Sequence, residues 1–297
     1  ALKRPLILDV VEHKLYMPKL HKQILILSIL AAFLVINIDG NAQQKYYHLL
    51  EKKKYNKVEK KAGKDLSKVS VTDTYHQTML NHIHALLYST RKFKKYNTEK
   101  AYEYMLVTQK LYANISDQKK IDKLQKKQIN NSSLANNLQT ICQKALDDAI
   151  EKNTIKNFQY YLDYYLRAEL DKRHLATSKR NELAYQAAVN TNTVAAFQNF
   201  IDTYPDAIQI PEAIVNRNHL AFLNAQKINT VESFQTFIDT HPNAIDAPKA
   251  IIERDLLAFN NAKEKNTSVA YYNFMKKYLR VLIISLTFLM TLSEVHK

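Results

Sequence analysis

The stretch that decides the fold is "FIDTHPNAIDAPKAIIER", Phe237 to Arg254, because thirty-seven residues earlier the chain reads "FIDTYPDAIQIPEAIVNR", Phe200 to Arg217. The period continues outward from this pair. Arg180, Arg217 and Arg254 fall in register, as do Leu183, Leu220 and Leu257, and Ala188, Ala225 and Ala262. Asn192, Asn229 and Asn266 are each followed by threonine, and Phe197, Phe234 and Tyr271 precede Phe200, Phe237 and Phe274 by three residues. A looser copy, "NTIKNFQYYLDYY", begins at Asn153 with a spacing of 39. A repeat of this length is a supersecondary module that cannot bury its apolar stripe alone and must stack on its neighbours.

The spacings give each half of the module its form. Val194, Phe197, Phe200, Ile201 and Tyr204 lie on one face of an α-helix, Thr193 supplies a capping oxygen and Pro205 ends it. A second helix is expected from about Pro211 to Lys227, with Ile214, Leu220, Ala221 and Ala225 facing inward. Glycine points the same way: only Gly40 and Gly63 occur, so β-turns, dinucleotide fingerprints and P-loops are disfavoured. The expected fold is therefore all-α, a solenoid of antiparallel helical hairpins with a period of about 37.

The chain divides further by composition. Residues 1–16 read as an upstream, non-native extension. "MPKLHKQILILSILAAFLVINIDGNAQQ" from Met17 has a basic start, an apolar run from Ile24 to Ile36 and small residues at Gly40 and Ala42. This is the layout of a signal peptide over 17–42, with a mature start at Gln43 and export to the periplasm or outer-membrane periphery of a Gram-negative bacterium. Residues 43–130 hold 20 Lys and Arg against 8 Asp and Glu, and read as basic, degenerate helical hairpins. There "KKYN" recurs at 53–56 and 94–97, and the stretches from Thr74 and Thr98 are the expected helices. The joint between the halves is placed between Asp117 and Ser133, and regular repeats run over 131–278. Residues 279–297 match no earlier copy and are apolar from Val281 to Leu292; they read as an aberrant tail from a frame slip or truncation, or else as a short hydrophobic tail packing on the last repeat or a membrane. Cys142, the single cysteine, has no partner for a structural disulfide.

At "AFQNFIDTYPDA" and "SFQTFIDTHPNA" the chain resembles the tetratricopeptide class of helical hairpin repeats, in the variety found in exported bacterial envelope proteins. The resemblance covers Asn153 to Tyr278 and departs from the family in its period and in lacking the small glycine of the first helix. It is also similar to the amino-terminal part of Bacteroidetes envelope proteins in which an outer-membrane-protein-A-like, peptidoglycan-binding domain follows such repeats. That resemblance implies a scaffold of the envelope whose partners are envelope proteins or peptides.

Chemistry is sparse. His76, His82 and His84 would point in different directions on a helix and so not converge on a metal. No paired carboxylates, nucleophile elbow or HExxH pattern is present. The chain is accordingly expected to be no enzyme, with no catalytic residue, cofactor or metal. Two readings of the Arg180, Arg217 and Arg254 ladder follow: a ridge clamping acidic groups of a partner, or, preferred, internal pairing with acids of the adjacent hairpin such as Asp202 and Asp239. Lysines greatly outnumber the eight arginines, which argues against nucleic acid as a partner. The alternative function is a basic module that binds anionic lipid or cell-wall polymer such as peptidoglycan.

Overall fold

A computed structural model describes residues 44–279, and the expectations for the upstream extension, the signal peptide and the tail from residue 280 fall outside the described residues. Among the described residues the structure is all-helical, with no strand. Thirteen α-helices follow in order: α1 (Gln44–Glu51), α2 (Tyr55–Leu66), α3 (Thr74–Tyr88), α4 (Thr98–Ala113), α5 (Gln118–Gln125), α6 (Asn131–Lys152), α7 (Ile155–Tyr164), α8 (Leu170–Thr191), α9 (Val194–Thr203), α10 (Ile210–Ile228), α11 (Val231–Thr240), α12 (Ala247–Lys265) and α13 (Ser268–Phe274). A π-helical turn, Met275–Leu279, continues α13. The chain forms two compact units, and the division falls inside α6, between Ile141 and Cys142.

In the first unit α3 is the central element. Most of its residues are buried, on all sides of the helix, as expected of a helix packed all round rather than on one stripe. α4 packs against it most extensively, and α1 and α2 also pack on it. Val58 and Ala62 of α2, Met79, Leu80, Ile83 and Leu87 of α3, and Met105 of α4 are fully buried. The two "KKYN" echoes have different roles: Lys53 is left-handed (φ 56°) before α2, whereas Asn97 caps α4 by accepting the Lys100 N–H at 2.8 Å.

The second unit is a run of alternating long and short helices in which, from α7 to α13, successive helices pack on one another. The junction from long to short is built the same way four times. Asn153, Asn192, Asn229 and Asn266 adopt left-handed φ of 45°, 50°, 55° and 44°. Each donates its N–H to the carbonyl of the alanine four residues back, Ala149, Ala188, Ala225 or Ala262, and so closes the long helix. The next residue, Thr154, Thr193, Thr230 or Thr267, is extended and accepts an N–H from the first turn of the short helix. Asparagine is the residue other than glycine that tolerates this backbone best, so a chain nearly free of glycine still makes a two-residue reversal.

Aromatic side chains fill each layer. Tyr185 packs on Phe197 and Phe200, with ring centroids 6.3 and 5.4 Å apart, and Phe222 packs on Phe234 and Phe237 at 6.3 and 5.5 Å. Phe259 meets Phe274 at 5.5 Å. Phe200 and Phe237 are thus equivalent inward residues of successive layers. Around them the buried alanines, Ala184, Ala188 and Ala213 in one layer and Ala225, Ala247 and Ala250 in the next, let the helices approach closely. On α10 the inward face is carried by Ala213, Phe222 and Ala225, while Ile214, Leu220 and Ala221 are only half-buried.

Two substitutions test this construction by chemical denaturation. Asn229→Gly is expected to be near neutral, whereas Asn229→Val, forced into the left-handed region, loses about 1–2 kcal/mol. Phe237→Ala removes a fully packed ring and is expected to cost about 3–5 kcal/mol.

Candidate functional site: the arginine ladder

The three arginines stand at equivalent positions of the long helices α8, α10 and α12, half-buried at Arg180 and Arg217 and buried at Arg254. Each guanidinium grips the side chain of the following residue. Arg180 Nε and Nη2 donate to Asn181 Oδ1 at 3.0 and 2.8 Å, and Arg217 does the same to Asn218 at 3.0 and 2.8 Å. Arg254 forms the equivalent fork on Asp255, at 2.8 and 2.7 Å.

The remaining arm reaches the preceding short helix. Arg180 Nη1 donates to Gln159 Oε1 at 2.7 Å, Arg217 to Gln198 at 2.6 Å and Arg254 to Gln235 at 2.8 Å. Each glutamine then donates through Nε2 to an acid one turn on: Asp163, Asp202 and Asp239, all at 2.8 Å. The expected direct pairing with Asp202 and Asp239 is therefore corrected, since a glutamine stands between each arginine and its acid. The reason is geometric: the amide presents a carbonyl to the half-buried guanidinium and leaves the carboxylate at the solvated rim, where its desolvation is slight.

The ladder also touches the helix that follows. The Arg180 guanidinium lies over the Tyr204 ring at 5.0 Å and that of Arg254 over Tyr278 at 5.3 Å. In the middle layer this place is taken by His241, whose pKa is held below its ordinary value by burial and by the Arg217 charge. One arginine thus ties three successive helices, its own, the preceding short one through glutamine and the following short one through an aromatic ring.

The other residues singled out by type are not members of the ladder. The Cys142 thiol is buried and its pKa is pushed up to about 12 by desolvation, which removes thiolate character at neutral pH. His76 pairs with the α3 cap Asp73 at 2.6 Å. His84 is stacked on Tyr104 at 4.9 Å and shares a hydrogen bond with the Leu80 carbonyl at 2.7 Å. His82 is buried between the Tyr47 hydroxyl, 2.9 Å from Nδ1, and Asn137 Nδ2, 3.1 Å from Nε2. As placed, the amide donates to Nε2, so the proton sits on Nδ1 and donates to the tyrosine oxygen. Among the described residues no group of three His, Cys, Asp or Glu side chains is arranged to hold a metal ion.

Sequence reasoning missed the glutamines and the tyrosine–histidine–asparagine bridge. The first had a visible signal, the "FQ" of Phe158-Gln159, Phe197-Gln198 and Phe234-Gln235, which recurs with nearly the same period as the arginines. The second joins residues 35 and 55 positions apart and had none. Comparison with known protein families, with curated proteins and with solved structures found no match.

Two pH-dependent outcomes follow. Burial depresses the His82 pKa to about 4 from an ordinary 6.5, so its contribution is fully present above pH 6.5 and is lost as pH falls towards 4. Unfolding of the first unit should lose up to about 3 kcal/mol over that window, and His82→Gln should flatten the profile. Asp255 shows the opposite sign: burial outweighs Arg254 and raises its pKa. Asp255→Asn, which installs the residue type found at Asn181 and Asn218, should be stabilising at neutral pH, with the gain vanishing as pH falls into the ordinary carboxylate range.

Proposed function

We propose that this chain is an exported, non-catalytic scaffold of the cell envelope, a tetratricopeptide-like helical-repeat solenoid that presents surface to envelope proteins or peptides of the periplasm or outer-membrane periphery. The observation that carries the reading is an aliphatic row kept in solvent at equivalent places of successive layers. Ile208 is 87% exposed and Ile245, thirty-seven residues on, is 81% exposed. Seven residues after each, Val215 and Ile252 are exposed as well. A single exposed isoleucine is ordinary, but the same exposure at the same place of two layers forms a surface that a partner would bury with a gain of about 1.5–3 kcal/mol per side chain.

The ladder arginines supply cohesion to the array in this reading, with Arg180, Arg217 and Arg254 spending their donors on neighbouring helices. Export is supported by the layout from Met17 to Ala42, whose apolar run is that of a signal peptide. Among the described residues, no helix is long and apolar enough to cross a membrane.

Two measurements check the proposal. Mass spectrometry of the protein from cells should find the mature terminus at Gln43, and an intact Met17 start in the cytoplasm would overturn export. A photo-crosslinking side chain at 208 or 245 should capture a defined envelope protein, and the capture should disappear in the Ile208→Asp/Ile245→Asp variant at unchanged melting temperature. Equal capture from a control position such as 232, or capture that survives the double substitution, would overturn the interaction surface.

A further inference from the structure

The first unit carries a charge arrangement that the scaffold reading does not use. α2 places Lys57, Lys60, Lys61 and Lys64 at i, i+3, i+4 and i+7, which is one face of the helix, and all four are exposed. The opposite face is shut against the core by Val58 and Ala62. Like charges at these spacings destabilise a helix, and neutralising acids would normally be interleaved. The two acids of α2 are engaged elsewhere. Glu59 pairs with Lys95 at 2.9 Å and accepts from Tyr88, and Asp65 accepts from the Tyr46 hydroxyl and faces Lys45 at 3.9 Å. Lys52, Lys53 and Lys54 add exposed positive charge just before the helix, at the end where its dipole is already positive.

We infer that the exposed lysine face of α2, Lys57, Lys60, Lys61 and Lys64, is a docking surface for an anionic lipid bilayer. This surface belongs to the other unit and is independent of the scaffold reading. The chemistry of the face selects the occupant. Four ammonium groups without an arginine give no guanidinium fork for defined phosphates. Tyr55, the aromatic of the helix, is half-buried and packed on Phe93 at 6.2 Å, so it offers no platform for stacking bases. What remains is a row of flexible point charges about 10 Å long on a convex helix. A plane of laterally mobile negative headgroups satisfies such a row without fixed partners, at about fivefold in affinity per lysine.

The test is co-sedimentation of the full chain with vesicles of phosphatidylglycerol and phosphatidylcholine, against vesicles of phosphatidylcholine alone, across a salt series. Binding to the anionic vesicles should weaken steeply with salt, and the Lys57→Gln/Lys60→Gln/Lys61→Gln/Lys64→Gln variant should bind at least tenfold more weakly. A control that removes the same charge from the second unit, Lys156→Gln/Lys179→Gln/Lys227→Gln/Lys263→Gln, should bind as the parent does. Circular dichroism verifies that both variants keep their helix content, and the salt dependence of the parent chain is read without any substitution. Equal loss in both variants, salt-insensitive binding, or a stripe variant that loses binding to inorganic polyphosphate while keeping that to vesicles would each overturn the proposal.

Discussion

The second unit depends on one constraint: a short helix of about ten residues carries more aromatic surface than it can hide by itself. Phe197 and Phe200 on α9, and Phe234 and Phe237 on α11, have to be enclosed by the long helices on either side. Alanines at the contact positions permit that enclosure, and asparagine–threonine junctions turn the chain sharply enough to bring α9, α11 and α13 back onto the long helices before them. The aromatic packing is non-directional, so it would tolerate sliding. The arginine links supply direction, since a guanidinium that must meet Asn or Asp, a glutamine carbonyl and an aromatic ring together leaves little freedom to slide.

The two units solve the same problem in different ways. In the first, α3 is buried on all sides and its polar residues are satisfied internally: Asn81 by the Gln77 carbonyl, Thr78 by that of Thr74, and His82 by Tyr47 and Asn137. Such a core is specified by particular pairs of side chains. In the second, the core is specified by a pattern that is used again in each layer.

This difference explains what could be read in advance. The helices of the repeats, their caps and the inward place of Phe200 and Phe237 were legible because each layer restates them at a fixed period. Helix α10, expected from about Pro211 to Lys227, runs from Ile210 to Ile228. The left-handed backbone of the asparagines is not legible, although Asn-Thr recurs at every junction, because a conformational role is less visible in a sequence than an apolar one. The ladder was legible as a ladder, but its partners were not. Charge complementarity pointed to Asp202 and Asp239, whereas the structure places an uncharged amide at the contact and keeps the carboxylates near water. In the first unit, where no regular period runs, the His82 bridge depends on long-range chain placement that no local pattern encodes.

One inequality between layers bears on how the second unit comes apart. Phe222 is 1% exposed, but Phe259, its counterpart one layer on, is 40% exposed, and α13 has no fully buried residue. Because each long helix is held by the short helices beside it and by hydrogen bonds to the next long helix, as between Gln226 and Glu253, opening can start at the loosest layer and spread from there. Amide exchange should therefore be graded along this unit, fastest around Phe274 and slowest around Phe200 and Phe237. Among the described residues the unit would then part like a zipper whose loosest teeth lie at Phe259 and Phe274.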